Sequence, residues 1–241
     1  MQTGVETAKG NKEVKHLSVN WAHLPNTPLS FINTPTAQPM INEIFSDNYR
    51  VIRSKLSFSP GDVLIDAGAN EGMFSVFMSK LFPQISIYAF EPVPETYFTL
   101  CENIKLNDCK NIVAHNLGLG KDEKINTEMI VANNFSGGST TLCTFDPASQ
   151  HKVEVGIIGF DMAMEMCGVD RVKLLKMDIE GMEYDVLYNS FFFDQKKVEN
   201  FTGEVHINQR LEHRCFRMEA IISWIANRSR IIHIEMCKMA E

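Results

Sequence analysis

Three features that direct proteins to membranes, to nucleic acids or into disulfide frameworks are missing from this sequence. No apolar run approaches the ~20 residues of a membrane-spanning helix. Basic runs and aromatic-basic patches are also missing, and the net charge is −7, so a nucleic-acid substrate is not expected. The six cysteines form no Cys-x-x-Cys pair, which disfavours zinc and predicts reduced thiols.

The length and the amino terminus set the organisation that we expect. A chain of 241 residues suffices for one sizeable α/β domain, with or without an extension. Residues 1–39 are polar and proline-containing, so we expect a tail or, alternatively, a lid over the substrate, followed by one domain over residues 40–241. The first 20 residues lack the apolar core of a signal peptide, which together with reduced thiols predicts a cytoplasmic protein.

A buried strand, a glycine turn and the start of a helix are predicted between Val63 and Phe74. The strand is apolar on both faces, as a central parallel strand should be, and it ends at Asp66. Gly68 and Gly72 bracket the turn, where a missing Cβ lets the backbone approach a ligand. The stretch therefore has the form of a ligand-binding strand-turn-helix unit.

The spacing of this turn selects among nucleotide ligands. A dinucleotide fingerprint would need glycine at positions 70 and 73, which hold Asn70 and Met73. A second strand, predicted at Ile85–Phe90, ends at Glu91, ~20 residues beyond the glycines, where an acid suits ribose hydroxyls. S-adenosyl-L-methionine (SAM) is a nucleoside without phosphate and fits both facts. A nicotinamide-dependent oxidoreductase is the alternative.

Strands alternate with helices along the rest of the chain. This predicts an α/β fold with a doubly wound, mostly parallel sheet flanked by helices, and an amino-terminal helical extension over Met40–Leu56. Ligands bind at the carboxyl ends of such strands. The further strands are predicted at Asn111–Asn116, Val172–Met177, Phe201–Ile207 and Ile231–Met236. Asn116, Asp178 and His206 fall at or near strand ends, so we expect them to converge.

Other predictions concern the periphery. Met129–Ala132 and Val153–Val155 are predicted edge strands around a loop at residues 133–141. Asp161 is expected to cap a short helix. One long amphipathic helix is expected from Leu211 to Ile225.

Three segments together resemble the FkbM-type family of SAM-dependent methyltransferases. They are Ile65–Gly72, Phe90–Pro92 and Leu175–Glu183. The Lys-x-Asp-x-Glu-Gly-x-Glu pattern of the third is the distinctive part, whereas the glycine turn alone indicates only the wider class I Rossmann-like fold. The resemblance implies a seven-stranded sheet and methyl transfer, usually to a hydroxyl of a natural product or sugar. Little chain remains after Met236 for the final antiparallel strand.

The resemblance also implies a cofactor site, with Glu91 on the ribose and the Asn116 region at the adenine. The residues placed against SAM are Asp66, Gly68, Ala69, Asn70, Gly72, Glu91, Pro92, Asn116 and Leu117. The implied partner is a small-molecule hydroxylated acceptor. A SAM-binding partner module without catalysis is a further alternative.

Four residues are candidates for catalysis. His206 is the first candidate for the base that deprotonates the acceptor, and a structural histidine bonded to the backbone or Glu204 is the alternative. Asp178 could orient the acceptor, contact the SAM amino group or bind a divalent metal with Glu204, but a metal is not expected. Lys176 is placed to pair with Asp178 or Glu204, or to hold the acceptor oxygen.

Overall fold

The computed structural model describes residues 16–19, 28–44, 52, 54–121, 124–132, 135–140 and 150–238. The amino-terminal part contains a β-hairpin as well as the expected helix. Its elements are β1 (His16–Val19), antiparallel β2 (Leu29–Ile32) and α1 (Ala37–Ile44). The helix spans the predicted boundary at residues 39 and 40, and the rest of the predicted helix up to residue 51 lies outside the described residues.

The first half of the main sheet follows the predicted pattern closely. Its elements are β3 (Val63–Ala67), α2 (Met73–Leu81), β4 (Ser86–Phe90), α3 (Pro94–Leu106) and β5 (Ile112–His115). Leu64 and Ile65 belong to two different core clusters, one on each face of the sheet. A strand buried on both faces has to be apolar throughout, which is why the sequence identified it.

A second sheet is inserted after β5. Its strands are β6 (Gly118–Gly120), β7 (Ile125–Ala132), β8 (Phe135–Thr140) and β9 (Gln150–Gly159), in the spatial order β6-β9-β7-β8. The two predicted strands are confirmed as β7 and β9, but they are the interior strands of this separate sheet and do not extend the edge of the main sheet. A loop was predicted at residues 133–141, but residues 135–140 form strand β8. Backbone pairing with β7 holds this segment extended, although its glycines favoured the prediction of a loop.

The remaining elements return the chain to the main sheet. They are α4 (Phe160–Cys167), β10 (Val172–Met177), α5 (Glu183–Tyr188), α6 (Phe191–Asp194), β11 (Val198–Ile207), α7 (Gln209–His213), α8 (Met218–Ala226) and β12 (Arg230–Lys238). None of the helices in the described part of the chain is long and apolar enough to span a membrane.

The strand order defines where a ligand can bind. The main sheet has the order β12-β11-β10-β3-β4-β5, and every neighbouring pair is parallel. The chain runs outward from β3 to β5 and then restarts at β10 on the other side, so the order switches between β3 and β10. A crevice opens at the carboxyl ends of strands at such a point. The doubly wound α/β fold is thereby confirmed.

The strand count differs from the seven that the family resemblance implied. In the described residues the main sheet has six strands, and the last of them, β12, pairs with β11 in parallel. The described part of the chain contains no antiparallel strand in this sheet. The seventh strand, which the resemblance implied and the sequence left open, is not present in this sheet over the described residues.

The long helix predicted from Leu211 to Ile225 is wrong, because the chain forms α7 and α8 with a break between them. Cys215 has a left-handed backbone, with φ of 67°. The following Phe216 stacks on Tyr184, with ring centroids 4.5 Å apart. This aromatic contact requires the chain to turn, which a regular helical spacing of apolar residues does not reveal.

Asp161 was predicted to cap the short helix that it begins, and this prediction is also wrong, because Asp161 caps a different helix. The structure gives no side-chain cap at the start of α4, which begins after Gly159. The Asp161 carboxylate instead accepts hydrogen bonds from Phe191 N at 2.7 Å and Phe192 N at 3.3 Å, and from Ser190 Oγ at 2.6 Å. It therefore satisfies the first amides of α6, which lies far along the sequence.

Replacing Gly68 with alanine tests the close approach of β3 to β10. We expect Gly68→Ala to lower the free energy of unfolding by at least ~3 kcal/mol, because its Cβ would overlap the Asp178 carbonyl oxygen. The matched control is Gly168→Ala, which has a similar φ of 66° but open space around the new Cβ, so ~1 kcal/mol is expected. Urea denaturation measures both; equal losses would contradict the packing argument.

Candidate active site

A buried lysine joins the two strands at the switch point. Lys176 is 5% exposed, and its Nζ donates a hydrogen bond of 2.8 Å to the Gly68 carbonyl oxygen. The same ammonium lies 3.6 Å from Asp66 Oδ1 and 3.8 Å from Asp178 Oδ2. Burial raises the pKa of Asp66, while Lys176 and the Ser75 hydroxyl, 2.6 Å from Oδ2, oppose that rise. Lys176 therefore ties the glycine turn to the end of β10.

The predicted ribose acid lies at the tip of β4. Glu91 Oε2 accepts a hydrogen bond from Asn70 N at 3.0 Å, and Oε1 accepts one from Val93 N at 2.9 Å. The Asn116 amide donates to the carbonyl oxygens of Glu91 and Pro92, each at 2.9 Å. Burial raises the pKa of Glu91 to about 7. This carboxylate fixes the turn that follows β3, and Asn116 fixes the segment that carries it.

The other residues assigned to SAM have clear structural contacts. Ala69 N donates to the Phe90 carbonyl oxygen at 3.0 Å, and Gly72 N donates to the Ala69 carbonyl oxygen at 2.9 Å. Leu117 packs against the core cluster on the α4 and α5 side of the sheet. Their roles in cofactor binding stay predictions.

His206 lies inside a group of carboxylates at the ends of β10 and β11. Its Nδ1 is 2.9 Å from Glu183 Oε1. Its Nε2 lies 3.4 Å from Glu204 Oε2, 3.6 Å from Glu180 Oε2 and 4.0 Å from Asp178 Oδ1. Three of the four predicted catalytic residues thus meet here, with Lys176 beside them.

The charge states in this group follow from burial and from each other. Burial alone would lower the pKa of His206, but the bonds to Glu183 and Glu204 and the surrounding negative charge raise it to about 11. The bond to His206 lowers the pKa of Glu204 to about 2, whereas burial raises that of Glu180 to about 8. At neutral pH His206 is an imidazolium without a free lone pair. Its predicted role as general base would first require loss of a proton.

A cavity of about 260 Å³ connects the glycine turn with this group. Its lining residues are Met40, Glu43, Ile44, Gly68, Ala69, Asn70, Phe74, Lys176, Asp178, Glu180 and Glu204. Helix α1 therefore contributes one wall, which the sequence did not predict. Asp66 and Glu91 lie behind this surface, where they support the turn.

The amino-terminal segment is attached to the glycine turn through an acidic residue of that turn, for which the sequence predicted no role. Glu71 is 5% exposed and accepts hydrogen bonds from the hydroxyls of Thr34 at 2.7 Å and Thr36 at 2.6 Å. Asn103 Oδ1 accepts a further bond from Ile32 N at 2.8 Å. No local pattern marks Glu71, because its partners lie more than thirty residues away in sequence.

Comparison with known proteins adds a family match. A profile described as "Methyltransferase FkbM domain" matches residues 66–232. "Methyltransferase 1" of Beauveria bassiana is 32% identical over 148 residues, covering 54% of this chain and 59% of that protein. The match thus spans less than two thirds of that relative's length.

Two further proteins are similar over more of the chain. "31-O-demethyl-FK506 methyltransferase FkbM" of Streptomyces tacrolimicus is 26% identical, covering 78% of this chain and 82% of that protein. A solved structure, M. jannaschii TYW2 in complex with AdoMet, covers 61% of this chain and 87% of its own, with 15% identity and a TM-score of 0.30.

Removing the buried ammonium tests its structural role. We expect Lys176→Met to lower the free energy of unfolding at neutral pH by ~3–5 kcal/mol, because the buried Asp66 carboxylate loses its cation. Asp66 has a raised pKa, so it takes up a proton as pH falls and the deficit relative to wild type should shrink toward pH ~4. Denaturant titrations across pH measure this.

Lys173→Met is the matched control on the same strand. Lys173 pairs at 2.8 Å with Glu199, a partly exposed carboxylate at the other end of the sheet. A loss below ~1 kcal/mol is expected. If Lys176→Met lowered the free energy of unfolding by as little as this, or by an amount independent of pH, the structural role assigned to the buried ammonium would be contradicted.

Proposed function

The chain belongs to the methyltransferase FkbM family, and on that premise we propose that it transfers a methyl group from SAM to a hydroxyl oxygen of a small molecule. The acceptor is a natural product or a sugar. The observation that carries the proposal is the cavity shared by the glycine turn and the group around His206. Donor and acceptor can meet there at the switch point of the sheet.

SAM is the methyl donor, and the elements around β3 receive it. The turn from Gly68 to Gly72 presents backbone groups to the amino-acid part, and Glu91, which lies behind the cavity, holds that turn in place through the Asn70 amide. Asp178 lines the same cavity as the turn, where a carboxylate can bind the ammonium group of SAM. A positive sulfonium suits a cavity whose lining contains more acids than bases.

Methyl transfer is an in-line displacement, so alignment and exclusion of water supply much of the rate enhancement. The acceptor oxygen forms a bond to the methyl carbon, the sulfur–carbon bond breaks, and its electron pair stays on sulfur. The hydroxyl proton must also leave. We assign its acceptance to the carboxylates rather than to His206, because an imidazolium cannot accept a proton. His206 then acts as a positioning residue.

Two facts support oxygen as the acceptor atom. The relative from Streptomyces tacrolimicus carries an O-methyl transfer in its name. In addition, N-methyltransferases of bases commonly have an Asn/Asp-Pro-Pro-aromatic turn after the fourth strand, where this chain has Asp178-Ile179-Glu180-Gly181. Neither identifies the acceptor, which therefore has to be found experimentally.

Turnover of methyl-labelled SAM with fractionated small-molecule extracts tests the function. We expect label in a neutral hydroxylated compound and a methoxy signal in its NMR spectrum. Label on nitrogen or carbon would overturn oxygen transfer. If S-adenosylhomocysteine (SAH) binds but no hydroxylated acceptor is methylated, the alternative of a non-catalytic SAM-binding module is favoured.

Replacing Glu91 with glutamine should weaken SAH binding. The amide retains only one acceptor oxygen for the two backbone amides of Asn70 and Val93, so the turn loosens. Loss of one bond to a charged group corresponds to an ~10- to 100-fold decrease in affinity. Isothermal titration calorimetry measures it. Glu95→Gln, an exposed position on α3, is the control and should bind as wild type does.

The same carboxylate predicts a pH dependence of binding. Burial raises the pKa of Glu91 to about 7, so its carboxylate is present above that pH and is lost as pH falls through it. Because a carboxylate accepts the hydrogen bonds of the Asn70 and Val93 amides better than a carboxylic acid does, and so keeps the turn ordered, SAH affinity should rise between about pH 6 and about pH 8. This rise should disappear in Glu91→Gln. The same slope in both proteins would exclude Glu91 as its source.

A further inference from the structure

We propose that α1 selects the acceptor by receiving an apolar, non-anionic part of it on Met40 and Ile44, and that Glu71 is the positioning residue that holds α1 at the cavity. That the ligand is a methyl acceptor rests on the proposed function, whereas the attachment of α1 rests on the contacts of Glu71. Helix α1 (Ala37–Ile44) lies outside the family match at residues 66–232, so the family gives it no role.

The apolar part of the cavity wall comes from two helices. Met40 and Ile44 of α1 line the cavity together with Phe74 of α2. Ile44 and Phe74 belong to the same core cluster, and the half-buried Met40 packs against that cluster. The three side chains therefore form one continuous apolar surface that borders the cavity. An acceptor with a hydrocarbon ring or chain can bury that part of itself here.

The polar part of the wall disfavours an anion. Four carboxyl groups line the cavity beside one ammonium, that of Lys176; they belong to Glu43, Asp178, Glu180 and Glu204. The ammonium already donates a hydrogen bond to the Gly68 carbonyl oxygen and lies 3.8 Å from Asp178 Oδ2. A phosphate or carboxylate on the acceptor would be repelled by this excess of acids. The cavity therefore suits a hydroxyl carried by an apolar group without negative charge.

Glu71 fixes the start of α1. Its carboxylate accepts hydrogen bonds from the Thr34 hydroxyl at 2.7 Å and the Thr36 hydroxyl at 2.6 Å, and Thr36 directly precedes the helix. The Thr34 hydroxyl oxygen also accepts a bond from Ala37 N, the first amide of α1, at 3.1 Å. A carboxylate near the amino end of a helix is further favoured by the helix dipole. Glu71 therefore sets where α1 begins relative to the glycine turn.

The glycine turn has supports of its own. Asn103 Nδ2 donates to the Glu71 carbonyl oxygen at 2.8 Å, and Glu91 accepts a bond from Asn70 N at 3.0 Å. Removal of a threonine hydroxyl leaves both bonds in place. Loss of the attachment should therefore weaken acceptor binding far more than cofactor binding, which a residue needed only for the shape of the turn would not do.

Thr36→Val and Thr36→Ser test the attachment in the full-length protein with SAH bound. Valine keeps the branched shape of threonine without its hydroxyl, whereas serine keeps the hydroxyl. We expect the amides of α1 to exchange hydrogen at least ~10-fold faster in Thr36→Val than in wild type, and SAH affinity to change less than ~3-fold. Thr36→Ser should exchange as wild type does. Hydrogen-exchange mass spectrometry and calorimetry measure these effects.

Thr99→Val is the matched control, because the Thr99 hydroxyl is exposed and donates only locally, to the Glu95 carbonyl oxygen of α3. It should leave exchange in α1 unchanged. Exchange in Thr36→Val equal to wild type, or a Thr36→Ser defect as large as that of Thr36→Val, overturns the role of Glu71. Thermal denaturation checks folding. Glu71→Gln, which keeps one acceptor oxygen for two hydroxyls, should accelerate exchange in the same direction and replaces Thr36→Val if that variant is unfolded.

Three compounds built on the same cyclohexane ring test which part of an acceptor the wall receives. Cyclohexanol has a single hydroxyl on a hydrocarbon ring, myo-inositol has a hydroxyl on every carbon, and cyclohexyl phosphate is anionic. We expect cyclohexanol to bind the SAH complex at least ~10-fold more tightly than either of the others in saturation-transfer NMR titrations. Binding of myo-inositol as tight as that of cyclohexanol overturns the apolar wall, and equally tight binding of cyclohexyl phosphate overturns the selection against anions.

Met40→Ala tests whether α1 supplies that wall. Removal of the side chain should weaken cyclohexanol binding by ~3- to 10-fold, because apolar contact area is lost. Asn42→Ala is the control on the same helix, since the exposed Asn42 accepts a hydrogen bond from Gln38 at 2.9 Å and does not line the cavity. Unchanged binding in Met40→Ala, or an equal loss in both variants, overturns the assignment.

Turnover of an acceptor found in the extracts separates this inference from the proposed function. Met40→Ala and Thr36→Val should raise the KM for the acceptor at least ~10-fold and change kcat less than ~3-fold. Methylation with an unchanged KM in both variants overturns selection by α1 and leaves the proposed function intact. A preference for cyclohexanol that depends on Met40, without methylation of any hydroxylated compound, supports the apolar wall and overturns the proposed function.

Discussion

The buried ammonium of Lys176 is the interaction on which the rest of the site depends. It bonds to the Gly68 carbonyl oxygen and lies between the carboxylates of Asp66 and Asp178. A charge in this position is stable only with such partners, and its partners are buried acids that need it in turn. The interactions of Lys176 with these acids and with Gly68 hold the turn after β3 against the end of β10, where the strand order switches.

Two groups of acids extend from this point in opposite directions along the sheet. On one side Glu91 fixes the glycine turn through backbone amides. On the other side Asp178, Glu180 and Glu204 surround His206. Burial pushes the carboxylates toward the neutral form, and bonds or cations restore the charge. The bonds from His206 and Cys237 keep Glu204 ionised, whereas burial is the largest influence on Glu180 and raises its pKa to about 8.

The amino-terminal segment belongs to the site as much as to the periphery. The two threonine hydroxyls on Glu71 attach it to the glycine turn, and α1 forms a wall of the cavity. One acidic residue therefore connects the amino-terminal segment, which supplies a cavity wall, to the glycine turn. The predicted lid over residues 1–39 stays a hypothesis, and this contact is its physical basis.

The sequence by itself determined the parallel α/β sheet, most strand positions and the family, because buried strands and glycine turns have local patterns. It also indicated that Asp178, Glu204 and His206 fall near strand ends. Only the tertiary structure decided the break before Phe216, the partner of Asp161, the wall formed by α1 and the protonated state of His206. Each of these depends on side chains brought together from distant parts of the chain, whose mutual burial and charge no local pattern contains.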